Sequence, residues 1–212
     1  MKRILTALFA ALILMFGTPL AANAATSNSR DYSTLAARWW TWALTQPAST
    51  SPLLDTTGAH CANQQSGNTW FLVGLFNTGG TVTRNCTIPT HTAVFFPLAN
   101  AFDCELATDN VPAKTVRTAT DYVQNGASNL SVTLDGISMA SAIEFEHSDL
   151  FNLALGTDSI FGPDAAGYYY PCADSGYYAL LNNLSPGTHT LQFTGTLSSQ
   201  TINVTYYLAV QS

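Results

Sequence analysis

The order of apolar and polar residues predicts one helix near the start of the chain and short strands after it. Leu35, Trp39 and Trp42 recur at helical spacing and form one apolar stripe. This spacing predicts a helix over residues 32–44, with Ser33 as its N-cap. We interpret the stripe as packing against a sheet, and the alternative is an aromatic platform for a ligand.

The next part of the chain has the pattern of paired strands. Residues 70–76 are continuously apolar, as in a strand buried on both faces. Residues 77–80 have turn composition, and residues 81–88 alternate between apolar and polar positions. The two segments therefore predict a hairpin, followed by a further strand over residues 91–96.

A second strand-rich block follows a predicted helix over residues 109–124. Asp135-Gly136 is a strong two-residue turn signal, which predicts a hairpin between residues 130–134 and residues 137–146.

The C-terminal part alternates most clearly. Strands are predicted over residues 177–181, 188–194 and 202–210, whereas residues 148–176 are predicted to be a long irregular segment. About eight short strands with few helices favour an antiparallel β-sandwich, Ig-like or jelly-roll in topology. We expect the N-terminal helix and one further short helix to accompany it.

The start of the chain has the composition of a secretory signal. Residues 1–3 carry two basic side chains, residues 4–20 are mainly apolar, and residues 22–24 read Ala-Asn-Ala. The pattern predicts a signal peptide over residues 1–24 and one β-sandwich domain over residues 25–212. We therefore expect a secreted or periplasmic protein, and no later stretch of the chain is long and apolar enough to span a membrane.

Composition narrows the classes of function. The chain has 212 residues, 47% of them apolar, with 7 basic and 13 acidic residues and a formal net charge of −6. The apolar content suffices for a packed core and excludes a disordered chain. So few basic residues argue against nucleic-acid binding, which requires Lys and Arg to neutralise phosphates.

The even number of cysteines in an exported chain predicts two disulfides. Cys61, Cys86, Cys104 and Cys172 are too far apart in sequence for a Cys-x-x-Cys zinc site. Three connectivities are possible. The predicted hairpin places Cys86 opposite Phe71, at the end where the loop carrying Cys61 enters, which favours pairing Cys61 with Cys86 and Cys104 with Cys172.

Several motifs occur together in this chain: RWWTWAL at residues 38–44, LDTTG at 54–58 followed by Cys61, WFLVG at 70–74, RNCTIP at 84–89, FFP at 95–97 and LSPGTHTL at 184–191. Together they resemble a family of exported bacterial proteins that has no established activity. The match covers most of the chain after the signal peptide. It implies an exported protein, and it carries over no catalytic residues.

One acidic group has a spacing that occurs in catalysis. Glu144 and Glu146 point to the same face of a strand, with Cα atoms roughly 6.5–7 Å apart, and Asp149 follows. Paired carboxylates can serve glycoside hydrolysis, and the spacing is similar to the catalytic strand of one jelly-roll family of β-glucanases. That family has Asp in the middle and Glu at the end, so we favour an ordinary solvent-facing acidic strand.

Other catalytic and metal-binding patterns do not occur in the sequence. There is no Gly-x-Ser-x-Gly, phosphate loop, dinucleotide fingerprint or EF-hand loop. His60, His91, His147 and His189 include no local pair with the spacing of metal ligands on a helix or hairpin. We therefore expect no metal and no cofactor.

Tyrosines cluster in the C-terminal half of the chain, at Tyr168, Tyr169, Tyr170, Tyr177 and Tyr178. Adjacent residues of a strand face opposite sides, so one tyrosine of each pair is expected to be exposed. Exposed aromatic rings stack on sugars or anchor protein partners, although tyrosines also lie on sheets for packing alone.

The sequence supports three hypotheses of function. The first is non-catalytic binding of a glycan or a protein at or outside the cell envelope, through the tyrosines and residues 148–176. The second is a secreted polysaccharide hydrolase that uses Glu144 and Glu146. The third is a structural envelope protein without a small ligand. The oligomeric state is left open.

Overall fold

The computed structural model describes residues 29–212, so the predicted signal peptide lies outside the described residues. Two five-stranded sheets form a mainly β, sandwich-like arrangement. The predicted β-sandwich is therefore confirmed. Sheet I contains, in spatial order, β1 (Thr69–Phe71), β3 (Ala93–Leu106), β8 (Gly167–Leu181) and β6 (Ile143–His147), with β7 (Phe151–Leu155) also paired to β8. Sheet II contains, in spatial order, β2 (Gly80–Pro89), β10 (Gln200–Gln211), β9 (Gly187–Leu197), β4 (Ser128–Leu134) and β5 (Ile137–Ser138).

Each sheet combines antiparallel pairs with one parallel pair at an edge, rather than the wholly antiparallel pairing that was predicted. β1 runs parallel to β3, and β2 runs parallel to β10. The predicted hairpin between residues 70–76 and 81–88 is therefore wrong, because its two segments lie in different sheets. The apolar run over residues 70–76 has a strand at its start only, and the rest is an extended turn that crosses between the sheets.

Three α-helices accompany the sheets: α1 (Ser29–Leu44), α2 (Ala113–Thr120) and α3 (Tyr122–Gly126). Short 3₁₀ turns lie at Ala48–Thr50, Ala140–Ala142 and Pro163–Ala165. The helix predicted over residues 109–124 is thus two short helices. Ser33 lies inside α1 and is not its N-cap, and its hydroxyl donates to the Asp149 carboxylate at 3.2 Å.

Two further predicted segments differ from the structure. The strand predicted over residues 137–146 is divided, because β5 ends after two residues and a 3₁₀ turn carries the chain across to β6 in sheet I. Residues 148–176 are not irregular, since they contain β7 and most of β8. Gly167 and Pro171 are typical of loops, and this composition concealed the strand.

The apolar residues form two layers. One layer lies between the sheets and includes Phe96, Phe193 and Tyr206. The other lies on the outer face of sheet I, where α1 packs with Trp39 and Trp40 buried against it. The interpretation that the tryptophan stripe packs against a sheet is therefore confirmed. The buried surface of α1 extends beyond this stripe, because residues 45–66 cover the opposite side of the helix.

Both predicted disulfides are present, Cys61–Cys86 and Cys104–Cys172. The reason for the first differs from the predicted hairpin. The loop before Cys61 docks on β2, where the Asn85 amide donates to the Thr57 carbonyl at 2.9 Å, and this contact brings Cys61 to Cys86. Two disulfides fit the prediction of an exported protein. Among residues 29–212, no helix is long and apolar enough to cross a membrane.

A buried arginine ties these loops together. Arg84 is 1% exposed, and its guanidinium donates to the carbonyls of Asp55 at 2.8 Å, Val73 at 3.0 Å and Gly74 at 3.1 Å. Its guanidinium also lies over the Tyr206 ring, 5.6 Å from the centroid. Arg84 therefore fixes both the loop before Cys61 and the extended turn after β1 to sheet II.

We expect Arg84→Met to destabilise the protein by about 3 kcal/mol, because three carbonyls then lose a charged donor inside the fold. For a chain of this size the melting temperature should fall by roughly 6–12 °C. The measurement is thermal unfolding, with the exposed Lys114→Met as the control. Equal melting temperatures for the two variants would show that Arg84 does not hold these loops.

Candidate functional site

A groove lies between α1, the turn after β1, the middle of β3, the end of β9 and the start of β10. It has a volume of about 470 Å³. We call it the aromatic groove, after the rings that form its walls. Those rings belong to Trp39, Trp40, Phe76, Phe102, Tyr122 and Phe161.

The rings form a connected series from the core to the surface. Trp40 contacts Trp39 with ring centroids 4.8 Å apart, and it contacts Phe102 at 4.4 Å. Phe161 lies 6.4 Å from Phe102 and 6.0 Å from Phe76. Phe161 is 43% exposed and Tyr122 is 51% exposed, so the outer part of the groove presents apolar ring surface to solvent.

The remaining polar lining is neutral. It consists of amide and hydroxyl side chains, those of Asn77, Thr78, Asn100, Ser198 and Gln200. Among the described residues, no Asp, Glu, Lys, Arg or His lines the groove. Apolar walls with a few hydrogen-bonding groups are typical of a small-molecule site, and this lining favours an uncharged ligand.

The walls of the groove are held by hydrogen bonds to backbone carbonyls and by one close approach of two backbones. The turn after β1 is fixed by Arg84, which bonds the Gly74 carbonyl at 3.1 Å. The loop that carries Phe161 is fixed at Asp158, whose carbonyl accepts from the Ala48 amide at 2.7 Å. At Gly195 the backbones of β9 and β3 approach so closely that a Cβ would overlap the Leu98 carbonyl.

Behind the groove lies a buried polar network on the α1 side of sheet I. The Asn100 amide donates to the Tyr178 hydroxyl at 3.1 Å, and that hydroxyl donates to Asp174 Oδ1 at 2.7 Å. The Tyr178 ring reaches Asp174 by lying over Gly176, where a Cβ would come within 2.7 Å of the ring. The same ring stacks on Phe95 with centroids 5.0 Å apart.

Asp174 is 1% exposed, and burial raises the pKa of its carboxyl to about 7, against the opposite effects of the Tyr178 hydroxyl and the Trp40 N–H. Burial also raises the pKa of Tyr178, and the Asp174 carboxylate raises it further. The Trp40 N–H lies beside both groups and lowers the pKa of each as a hydrogen-bond donor does, although the distance and angle of the contact fall short of a full hydrogen bond. Among residues 29–212, neither Trp40 Nε1 nor Asp174 Oδ2 has a hydrogen-bond partner.

The predicted tyrosines fall in three environments. Tyr168 and Tyr170 are half-exposed. Tyr169 turns inward, with its hydroxyl donating to the Ala165 carbonyl at 2.9 Å. Tyr177 donates to the Gln124 carbonyl at 3.1 Å, and Tyr178 is buried in the network behind the groove. Adjacent tyrosines therefore differ in exposure, and none of the five lines the aromatic groove.

The three acidic residues considered for catalysis, Glu144, Glu146 and Asp149, lie on or just after β6, at the edge of sheet I. In β6, Glu144 is opposite Tyr178 and Glu146 is opposite Gly176, so both point to the α1 side. Asp149 accepts from Ser33 and from the Thr34 hydroxyl, the latter at 2.7 Å. Burial raises the pKa of Glu146; His147 acts against this, and Glu144 and Asp149 add to it. Neither of the two cavities described in this section is lined by these three acids.

The structure also brings Ser175, His147 and Asp121 together. His147 Nδ1 lies 2.8 Å from Ser175 Oγ and 3.9 Å from Asp121 Oδ1. A catalytic triad needs the serine and the acid on different ring nitrogens. Here both lie at Nδ1 and Ser175 is fully buried, so the cluster joins β6 to β8 and to Thr120 of α2 without the geometry of a nucleophile.

A second, shallower depression of about 590 Å³ lies on the outer face of sheet II. It contains Tyr207 and His189, and both nitrogens of His189 are engaged, by Asp135 at 2.7 Å and by the Ser185 carbonyl at 2.9 Å. His189 is therefore a hydrogen-bonded structural residue. Within residues 29–212, no group of three His, Cys, Asp or Glu side chains could hold a metal ion.

Sequence reasoning missed the groove and the network behind it. Asp174 lies in the sequence Cys-Ala-Asp-Ser-Gly, whose composition is that of a turn, and nothing local marks it as buried. Phe161 lies in a loop far in sequence from Phe76 and Phe102. The alternative considered for the tryptophan helix, an aromatic ligand platform, was the one signal that pointed to this region.

Comparison of the chain with protein-family models, with curated proteins and with solved structures found no match. The resemblance of its motifs to a family of exported bacterial proteins stays a prediction.

We expect the stability of the protein to fall as pH rises from about 4 to about 7 through Asp174. Between its ordinary pKa of 3.8 and its folded pKa of about 7, the folded protein keeps a proton that the unfolded chain releases. Asp174→Asn removes this linkage. The stability of the variant relative to the wild type should rise across the window, by up to about 4 kcal/mol, and then level off.

The measurement is urea unfolding of both proteins at a series of pH values. Other titrating groups are shared by the two proteins and cancel in the difference. A difference that is independent of pH would show that Asp174 ionises normally in the folded protein.

Proposed function

We propose that the protein is an exported, non-catalytic binding protein that takes a neutral carbohydrate in the aromatic groove. One observation carries the proposal. The groove combines exposed ring faces with amide and hydroxyl side chains, and no charged side chain of the described residues lines it.

The chemistry of this lining matches that of a sugar. The C–H faces of a pyranose are apolar and stack on aromatic rings, which Phe161 and Tyr122 present at the mouth of the groove. Its hydroxyls are neutral donors and acceptors, as are the side chains of Asn77 and Gln200. A volume of about 470 Å³ is within the range of small-ligand sites and suits a short stretch of a glycan.

The features that suggest export support the same proposal. The predicted signal peptide and the two disulfides are those of a chain that works outside the cytoplasm, where envelope and extracellular polysaccharides occur. A glycan accounts for the groove better than a protein partner does, because the exposed rings line a concavity of small-molecule size.

Tyr168 and Tyr170 form a second aromatic surface, and we keep it as a distinct site for the same ligand class. Both rings are half-exposed, and the Tyr168 hydroxyl accepts from the Asn152 amide at 2.7 Å. This surface is not one of the two cavities, so stacking on it would involve a single face of a sugar chain.

Isothermal titration calorimetry of residues 25–212 against five neutral tetrasaccharides tests the proposal: cellotetraose, xylotetraose, mannotetraose, maltotetraose and N-acetylchitotetraose. We expect at least one to bind. Phe161→Ala should weaken it by about tenfold or more, because a stacking ring at the mouth of the groove is lost.

Tyr207→Ala is the matched control, since Tyr207 is a similarly exposed ring on the outer face of sheet II. Binding that survives in Phe161→Ala and is lost in the double variant Tyr168→Ala, Tyr170→Ala would move the site to the second surface. No binding by any tetrasaccharide would overturn the proposal.

Polysaccharide hydrolysis at Glu144 and Glu146 is the second candidate function. The observation in its favour is the raised pKa of Glu146, which is caused by burial and by the neighbouring Glu144 and Asp149. A general acid requires a raised pKa of this kind. The observation against it is that neither acid lines either cavity.

We expect no reducing ends to be released when the wild-type protein is incubated with β-glucan, xylan, mannan, starch or chitin. The measurement is a reducing-sugar assay over a long incubation. Release that is present in the wild type and abolished in Glu146→Gln would contradict a purely binding role and establish the hydrolase.

A further inference from the structure

The two walls of the aromatic groove differ in chemistry. The wall on the side of sheet I is aromatic and includes Phe102 and Phe161. The wall on the side of sheet II lies next to the turn between β9 and β10, where Leu197, Gln200 and Ile202 line the groove. We call these three residues the hairpin wall. It combines two aliphatic side chains with one amide.

The pairing of β9 with β10 places the side chains of the hairpin wall next to one another. Gln200 is directly opposite Leu197, and Ile202 is two positions further along β10. Directly opposite side chains have Cβ atoms roughly 4.5–5.5 Å apart, and residues two positions apart on a strand share a face. Farther along both strands this face packs against sheet I, at Phe193 and Val204. The Gln200 amide therefore has aliphatic surface on two sides.

The hairpin wall is open to a ligand and adjoins the aromatic side of the groove. Gln200 is exposed, and Leu197 and Ile202 are partly exposed. Leu197 and Tyr122 both approach Gly126, within 3.6 Å and 3.9 Å of the position that a Cβ would take there. A sugar ring stacked on the aromatic side of the groove therefore presents the substituents on its edge to the hairpin wall.

We infer that the groove selects acetamido sugars, in which an N-acetyl group replaces one ring hydroxyl. The sugar ring stacks on the aromatic wall, the acetyl methyl packs on Leu197 and Ile202, and the amide of the acetamido group hydrogen-bonds the amide of Gln200. The inference rests on the proposed function, and it adds which class of carbohydrate the groove takes.

An acetamido group fits the hairpin wall better than a hydroxyl does. A hydroxyl pressed against aliphatic side chains loses its water without gaining a partner, which costs free energy. A methyl group in the same place gains free energy, because apolar surface is removed from water. The Gln200 side chain has both a donor and an acceptor, so it matches either end of a secondary amide.

The groove also disfavours the amino sugar that remains when the acetyl group is removed. At mildly acidic pH its amine carries a positive charge. Among the described residues, no carboxylate lines the groove to pair with that charge. Because a desolvated and unpaired charge is costly, the deacetylated sugar should bind far more weakly than the acetylated one.

The first test is calorimetric titration of the wild-type protein with three ligands at mildly acidic pH. They are N-acetylchitotetraose, cellotetraose and chitotetraose, which share one backbone and carry an acetamido group, a hydroxyl and a charged amine at the same ring position. We expect N-acetylchitotetraose to bind about tenfold or more tightly than cellotetraose. Chitotetraose should bind most weakly of the three.

The second test changes the hairpin wall. Gln200→Ala removes the amide and Leu197→Ser removes an aliphatic contact, so each should weaken N-acetylchitotetraose by about fivefold or more. The affinity for cellotetraose should stay within about twofold of the wild type, because cellotetraose lacks the acetamido group. Gln192→Ala is the matched control, since Gln192 is an exposed amide on the outer face of sheet II.

A third measurement observes the acetyl group directly. In saturation-transfer difference spectra of N-acetylchitotetraose with the wild-type protein, the acetyl methyl protons should receive the strongest saturation. In Leu197→Ser the saturation of the methyl protons should fall relative to that of the ring protons. This comparison and the three-ligand titration use the wild-type protein, so they decide the inference even where a variant folds poorly.

Acetamido sugars have two sources outside the cytoplasm. Chitin-type chains are neutral, whereas every second sugar of a peptidoglycan chain carries a lactyl carboxylate. Among the described residues, no basic side chain lines the groove to pair with a carboxylate. We therefore expect N-acetylchitotetraose to bind more tightly than the peptidoglycan tetrasaccharide, and the reverse order would assign the site to the envelope glycan.

Equal affinities for N-acetylchitotetraose and cellotetraose, with Phe161→Ala weakening both, would overturn the inference and leave the groove as a carbohydrate site. A preference for N-acetylchitotetraose that persists unchanged in Gln200→Ala and in Leu197→Ser would also overturn it. If no tetrasaccharide binds, the inference and the proposed function fall together.

Discussion

The packing of the α1 tryptophans on the outer face of sheet I is the interaction on which the rest of the structure depends. Trp39 is fixed by its N–H, which donates to the Leu72 carbonyl at 2.8 Å, and Trp40 packs beside it. Full burial of such large rings stabilises a fold by about 2–3 kcal/mol each. The same layer covers Asp174 and forms the inner wall of the aromatic groove, so stability and the candidate site share one contact.

The buried network behind that layer places ionisable groups inside an otherwise apolar core. A core satisfies its polar atoms, but Asp174 keeps one carboxylate oxygen without a partner in the described residues and a pKa raised by burial to about 7. Gly176 is needed so that the Tyr178 ring can lie across it.

The parts of the fold that follow local periodicity could be predicted from the sequence, and the parts set by distant contacts could not. The α1 stripe and the last two strands were predicted in this way. Both cysteine pairs were also predicted, but the pairing of Cys61 with Cys86 was argued from a hairpin that does not form. The hairpin predicted after Trp70 does not form, because a continuous apolar sequence is equally consistent with a segment that crosses between two sheets. Asp174 lies on β8, and Phe161 lies in the loop before that strand. The polar and glycine-rich sequences of both segments are typical of irregular chain, so no local pattern indicated either residue.

A crystal structure of the protein with the tightest-binding tetrasaccharide tests the central claim most directly. The account requires a sugar ring stacked on Phe161 in the aromatic groove. A sugar bound instead on Tyr168 and Tyr170, with the groove filled only by solvent, would contradict it.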